Sequence, residues 1–173
     1  LRSFFAGGSG NLWSLEVRSN FPKKGEIVMA VKAIPDGYHT VTPFLNVKGV
    51  AKFIDFLKAA LGAEEVMRMA GPGGMVMHAE VSIGNSRLML GEVMPPNEPS
   101  SSYFYLYVND ADAIYKRAVG AGANSVSQPT DQFWGDRMAT VKDPFGNTWS
   151  VATHKSDPTP EEMEKRMKAA MNQ

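Results

Sequence analysis

Leu45-Asn46-Val47, then a helical pattern ending at Leu61-Gly62-Ala63, then Ile83-Gly84-Asn85-Ser86: this order of signals occurs twice in the chain. The second pass reads Leu106-Tyr107-Val108, Ala121-Gly122-Ala123 and Phe145-Gly146-Asn147-Thr148, at offsets of 61, 60 and 62 residues. A nearly constant offset across three matched pieces marks an internal repeat, and a repeat of this length is one supersecondary unit copied.

Each copy reads strand, helix, then three strands. In the first, Val41 to Val47 has the β-branched and aromatic bias of a strand. Val50, Phe53, Ile54, Leu57 and Leu61 then fall on one face of a helix that Gly62 stops. Glu64 to Met69, Met75 to Ile83 and Arg87 to Val93 supply three strands, separated by Gly71-Pro72-Gly73-Gly74 and Gly84-Asn85. In the second copy, Tyr103 to Val108 is the strand, Asn109 or Asp110 the helix cap, and Ala111, Ile114, Tyr115 and Ala118 the apolar stripe. Ser125 to Gln128, Arg137 to Lys142 and Thr148 to His154 complete it.

The fold class is therefore α+β: two tandem βαβββ modules with a C-terminal helix. The expected bounds are 40–95 for the first module, 96–100 for a proline-rich linker, 101–155 for the second module and 156–173 for the amphipathic helix. That helix opens on Thr159-Pro160-Glu161-Glu162, a capping-box start with proline at the first helical position. Met163, Met167 and Met171 share one of its faces, a stripe suited to core or dimer packing. Residues 29–39 form a lead-in. Residues 1–28 lack patterning, and Lys23-Lys24-Gly25-Glu26 would be purine-rich codons upstream of Met29. They read either as upstream sequence before a natural start at Met29 or as an extension whose apolar side chains cover a patch.

Composition narrows the functions. The chain of 173 residues carries 18 basic and 18 acidic side chains, so no electrostatic footprint marks a nucleic acid or an anionic membrane as partner. It has no cysteine, which excludes disulfides, thiolate metal sites and thiol nucleophiles, and only 3 histidines. No apolar run approaches the roughly 20 residues that span a bilayer. A soluble cytoplasmic protein is the expectation.

The tandem modules, with Val76-Met77-His78-Ala79-Glu80, Asp131-Gln132-Phe133-Trp134-Gly135-Asp136-Arg137 and Asp143-Pro144-Phe145-Gly146-Asn147-Thr148-Trp149, resemble the vicinal oxygen chelate superfamily. This is the glyoxalase, bleomycin-resistance and extradiol-dioxygenase group, and the segments are closest to its PhnB-like branch. The resemblance implies that the two modules curl their mixed sheets into a cup, and in metal-dependent members of the group ligands come from the first and last strand of each module. The resemblance puts those positions at Thr42, Leu88, Tyr103 and Ser150, none an imidazole or a carboxylate. The expectation is no metal at the usual site and no cofactor. The resemblance also implies a homodimer.

Strand parity selects what lines the cup. Tyr103, Tyr105 and Tyr107 share one face, with Thr42, Phe44 and Asn46 expected from the first strand and Ser150, Ala152 and His154 from the last. Met77, Ala79 and Val81 form an apolar face, which leaves His78 and Glu80 toward the cup. That pair reads as a general base with an orienting carboxylate, a fragment of a noncognate metal site, or a hydrogen-bonded pair in the wall. His154 either joins them or sits at a strand end, and His39 is a surface residue. In the turn, Trp134 and Arg137 offer a stacking face and a guanidinium for an anion, or else Trp134 closes the cup edge while Asp136 and Arg137 brace the hairpin. Gly71-Pro72-Gly73-Gly74 is a flexible rim, because no Lys-Ser/Thr and no helix follow it.

These residues favour a metal-independent protein that holds a small organic molecule in an aromatic cup. The walls are Tyr103, Tyr105, Tyr107 and Trp134, and the directional contacts His78, Glu80 and Arg137. The rivals are a glyoxalase-like lyase or isomerase using His78 and Glu80, with or without a nonstandard divalent metal, and a dimeric interaction protein using the methionine helix.

Overall fold

The computed structural model of the chain describes residues 31–171, so the expectations for residues 1–28 and for a start at Met29 lie outside the described residues. Both copies of the repeat fold as βαβββ modules. The first comprises β1 (Phe44–Val47), α1 (Val50–Leu61), β2 (Glu64–Ala70), β3 (Val76–Ile83) and β4 (Ser86–Glu92). The second comprises β5 (Tyr103–Tyr107), α2 (Ala111–Gly120), β6 (Asn124–Asp131), β7 (Asp136–Lys142) and β8 (Thr148–His154), and α3 (Pro160–Met171) follows. Each module makes its own four-stranded mixed sheet, in the orders β1-β4-β3-β2 and β5-β8-β7-β6. The β1/β4 and β5/β8 pairs are parallel and the others antiparallel.

The helices form where the pattern places them, and α1 is capped at its N-terminus from a distant strand. The amides of Gly49 and Val50 donate to the Glu92 carboxylate at 2.7 and 2.9 Å, which places a negative charge at the α1 N-terminus. Gly62 closes α1 in the left-handed region at φ 71°, where a side chain would be strained. Asp110 caps α2 through the Ala113 amide at 2.9 Å.

The two modules meet through their helix-bearing sides. Phe53, Ile54 and Leu57 of α1 share one core with Trp149 of β8 and Ala118 of α2. Phe145, on the β7–β8 turn, packs against Phe53 at 4.9 Å and Phe56 at 6.3 Å between ring centroids. Arg117 of α2 donates to the carbonyls of Lys58 and Ala59, the last turn of α1, and so satisfies acceptors that a helix end leaves open. Trp149 lies under Phe104 at 4.4 Å, and its indole N–H donates to Asp143 at 2.8 Å. The same carboxylate accepts from the amides of Phe145 and Asn147, so the Asp143–Asn147 turn is a structural lock. Burying each such aromatic side chain contributes about 1.5–3 kcal/mol.

Two strand bounds differ from expectation by more than one residue. β1 begins at Phe44, not Val41: Pro43 has no amide proton, and Thr42 turns its hydroxyl back to the His39 carbonyl at 3.1 Å. β6 extends over Asn124–Asp131, through Pro129, beyond the expected Ser125 to Gln128. It is an edge strand with register shifts, the setting in which a proline is tolerated. α3 starts as its capping box requires, with Glu162 N donating to Thr159 Oγ1 and Thr159 N to Glu162 Oε2. It has no buried residue, and Met171 is 79% exposed. Among the described residues, no helix is long and apolar enough to cross a membrane.

Candidate functional site

Because the helix sides face each other, each sheet turns its other face outward, and the candidate residues fall on these two faces. On the first sheet, Phe44 stacks on His78 at 5.8 Å, which puts β1 and β3 side chains together as parity requires. Gly91 lies beneath them, and a Cβ there would come within 2.8 Å of the Phe44 ring. Glu80 is buried, and Tyr38 of the lead-in donates its hydroxyl to the Glu80 carboxylate. Arg87 Nη1 reaches the same oxygen at 3.3 Å, and its guanidinium lies 4.5 Å over the Tyr38 ring. His78 Nε2 stands 3.8 Å from the other oxygen, beyond hydrogen-bond distance. Glu80 is thus neutralised by Arg87 and covered by Tyr38, and it anchors the lead-in to the sheet.

On the second sheet, β5 contributes Tyr103, Tyr105 and Tyr107, which are 65%, 43% and 66% exposed. Their hydroxyls point inward to fixed partners. Tyr103 shares a 2.6 Å hydrogen bond with the buried Ser150, which also meets Thr140 at 2.9 Å. Tyr105 and Tyr107 donate to Asp136 Oδ2 at 2.9 and 3.1 Å, and Trp134 Nε1 donates to the same oxygen at 3.1 Å. Asp136 Oδ1 meets His154 Nδ1 at 2.8 Å. Asp136 is 2% exposed and lies at the start of β7 directly opposite His154 on β8.

The electrostatics follow from this hub. Burial pushes the Asp136 carboxyl up, but hydrogen bonds from His154, Tyr105, Trp134 and Tyr107 outweigh it and hold the group below the ordinary carboxylate range. His154 is raised, first by its bond to Asp136 and then by Asp157, whose Oδ1 lies 3.0 Å from Nε2. Burial, helped by Asp136, pushes the Tyr105 phenol up to about 12. Tyr105 therefore stays a neutral donor, and the Asp136 carboxylate favours the protonated form of the imidazole.

Several expected residues lie elsewhere. Arg137 is on the opposite face of β7 from Asp136, where Nε and Nη2 hold Asp112 of α2 at 2.6 and 2.8 Å and Nη1 holds Asp131 at 3.1 Å. It braces the turn against the helix and does not reach the tyrosines, because adjacent strand positions point to opposite faces. Thr42 precedes β1 with its hydroxyl engaged on His39. Leu88 is buried in the core toward the helices and has no donor atom. With the Ser150 hydroxyl shared between Tyr103 and Thr140, the four family metal positions do not fit a divalent cation. Phe44, Asn46, His78 and Glu80 belong to one sheet and Tyr103, Tyr105, Tyr107, Trp134, Ser150 and His154 to the other; the described chain does not bring them into one cup.

A cleft of about 760 Å³ opens at the module junction, between residues 39–43, the β3–β4 turn and the edge of β5, with Leu106 and Trp149 among its lining. It reaches Tyr105 and Tyr107 from the side but not Asp136 or His154. Sequence reasoning passed over Asp136 as a hub, although its parity with Met138 and Thr140 places it on the tyrosine face. It also missed Tyr38 and Arg87, the first because nothing in a lead-in signals where it folds back.

A pair of βαβββ modules joined through their helices, each offering an aromatic and polar sheet face, defines a paired-module scaffold. The model of the Glyoxalase/Bleomycin resistance protein/Dioxygenase superfamily matches residues 38–151, and the chain belongs to that superfamily. An uncharacterized protein of Mycobacterium tuberculosis is 36% identical over 134 residues, 71% of this chain and 76% of that protein. Among solved structures, TioX from a Micromonospora species is 24% identical with TM-score 0.58, covering 65% of this chain and 96% of its own. A gene product from Arabidopsis thaliana is 28% identical with TM-score 0.56, covering 66% and 98%. TnmS3, an antibiotic binding protein from a Streptomyces species, is 23% identical with TM-score 0.53, covering 73% and 99%. At these identities TioX and TnmS3 are likenesses of fold.

Proposed function

We propose that this protein binds a small organic molecule on the tyrosine face of its second module, without a metal ion or other cofactor. One observation carries the reading: Tyr103 and Tyr107 are about two thirds exposed while their hydroxyls are held by Ser150 and Asp136. Rings fixed from behind and open in front make a preorganised stacking surface, which lowers the ordering cost of binding. The fold accommodates such a role, since TnmS3 is an antibiotic binding protein on the same scaffold. The enzyme reading, a lyase or isomerase using His78 and Glu80, is weaker because Glu80 is engaged by Tyr38 and Arg87 and stands 3.8 Å from His78.

The cup is completed in a homodimer. Each sheet presents half of it, Phe44 and Met69 being 50% and 54% exposed on one and the tyrosines on the other. A second copy laid across them would bring Phe44, Asn46, His78 and Glu80 opposite Tyr103, Tyr105, Tyr107, Trp134, Ser150 and His154. Within the superfamily the protein is PhnB-like. Its setting is the cytoplasm, and its balanced charge offers no electrostatic footprint for a nucleic-acid or membrane partner.

The test is a thermal-shift and tyrosine-fluorescence screen of planar aromatic compounds and bleomycin-type glycopeptides, with light scattering for assembly. A binder whose affinity falls at least about tenfold in Tyr103→Ala with Tyr107→Ala is expected. Stoichiometric metal in the purified protein, or binding indifferent to both substitutions, would overturn the reading.

A further inference from the structure

His154 ends β8 with one ring nitrogen buried in structure and the other directed at solvent. Nδ1 is committed to Asp136, a carboxylate 2% exposed that four donors saturate. That bond sets the ring orientation and leaves Nε2, on a side chain 50% exposed, as the outward atom. The same Asp136 carboxylate holds the Tyr107 hydroxyl at 3.1 Å, so the imidazole and an open aromatic ring are fixed to one buried group. Both ring nitrogens thus face carboxylate oxygens, and the protonated ring donates to both.

Nε2 already has an anion on it. Asp157, 96% exposed, places Oδ1 at 3.0 Å. The chain that carries Asp157 is strapped down just before it: the amides of Lys155 and Ser156 both donate to the Gly135 carbonyl, at 2.9 and 3.2 Å. Gly135 sits at φ 101°, and a Cβ there would meet the Ser156 carbonyl oxygen at 2.1 Å, so this close approach needs glycine. The strap presents Asp157 to His154 without burying it. An ion pair in that setting is weak and readily exchanged, whereas the Asp136 bond behind the ring is protected from water.

We propose that His154 Nε2 is the anion-recognition point of the tyrosine face, taking the carboxylate of an aromatic acid whose ring lies on Tyr107, and that Asp157 holds that place as a built-in competitor until the ligand displaces it. The ligand class is thereby narrowed from any planar organic molecule to one with an acidic group beside its ring. This rests on the tyrosine face being the binding surface, and the two ideas separate experimentally.

The experiment titrates the full ¹⁵N-labelled chain with benzoate and with its neutral isostere benzamide, following the His154 side-chain resonances and the tyrosine fluorescence. The expected result is that Asp157→Asn tightens benzoate about five- to tenfold by removing the competitor and leaves benzamide unchanged. His154→Gln should abolish the preference for benzoate over benzamide, and Tyr107→Ala should weaken both. Benzoate binding equally well to His154→Gln, or no gain with Asp157→Asn, or no benzoate binding to either the parent chain or Asp157→Asn, overturns the anion site. Benzoate selectivity that survives Tyr107→Ala and Tyr103→Ala supports the anion site and removes the aromatic platform.

Discussion

Asp136 and His154 face each other across β7 and β8 with Oδ1 and Nδ1 2.8 Å apart, the carboxylate 2% exposed and the imidazole half in solvent. The pair joins the inside of the second module to its open face. Its consequences for stability, titration and binding can each be measured.

Removing the carboxylate should be costly. Asp136→Ala leaves two phenols, an indole N–H and an imidazole without their shared acceptor. The loss expected from leaving these donors without their buried acceptor is about 3–5 kcal/mol, read by urea unfolding. A change below about 1 kcal/mol would mean that water replaces the carboxylate and that Asp136 is no hub.

Titration of His154 has a definite sign. Its folded value is raised by Asp136 and Asp157, so its contribution to stability is fully present below the ordinary value of about 6.5 and is lost as pH rises through the folded value. Asp136 is depressed, so its contribution is present above the ordinary carboxylate range and is lost on acidification through its folded value. Melting temperature should therefore decline between about pH 6.5 and the folded midpoint of His154, and His154→Gln should flatten that decline. An NMR midpoint for His154 at or below about 6.5 would contradict the geometry.

The junction of the modules should be the principal source of stability. Phe53 is fully buried against Phe145 in the core that also holds Trp149, and Phe53→Ala should lower stability by about 3–5 kcal/mol. Arg117→Ala removes only the guanidinium on the Lys58 and Ala59 carbonyls and should lower it by about 1 kcal/mol. Equal losses for the two would show that the helix end, and not the aromatic core, holds the modules together.

Gly135→Ala should free the strap. The added methyl is strained at φ 101° and collides with the Ser156 carbonyl, so Lys155 and Ser156 must lift away. A loss of about 1–3 kcal/mol is expected, with faster amide exchange at 155 and 156. Retained protection there would show that the strap does not depend on this contact.

Much of the architecture was legible because it rests on local periodicity. The repeat, both helices with their stops at Gly62 and Gly122, and the sharing of one face by Tyr103, Tyr105 and Tyr107 all follow from spacings of 3.6 and 2 that each segment carries in itself. Val41 falls outside β1 although its type favours a strand, because Pro43 has no amide proton to give a ladder.

The sequence alone determined the tandem βαβββ order, the capped C-terminal helix and which side of each strand is apolar, since those depend on neighbours a few residues away. Only the tertiary structure decided that Asp136, and not Glu80, gathers the phenols and an imidazole, that Arg137 turns to α2, and that the two candidate faces lie on separate outward sheets. Those outcomes are set by pairings across 18 to 47 residues of chain, from His154 with Asp136 to Tyr103 with Ser150. They depend on how the helices pack the modules together, which no local pattern encodes.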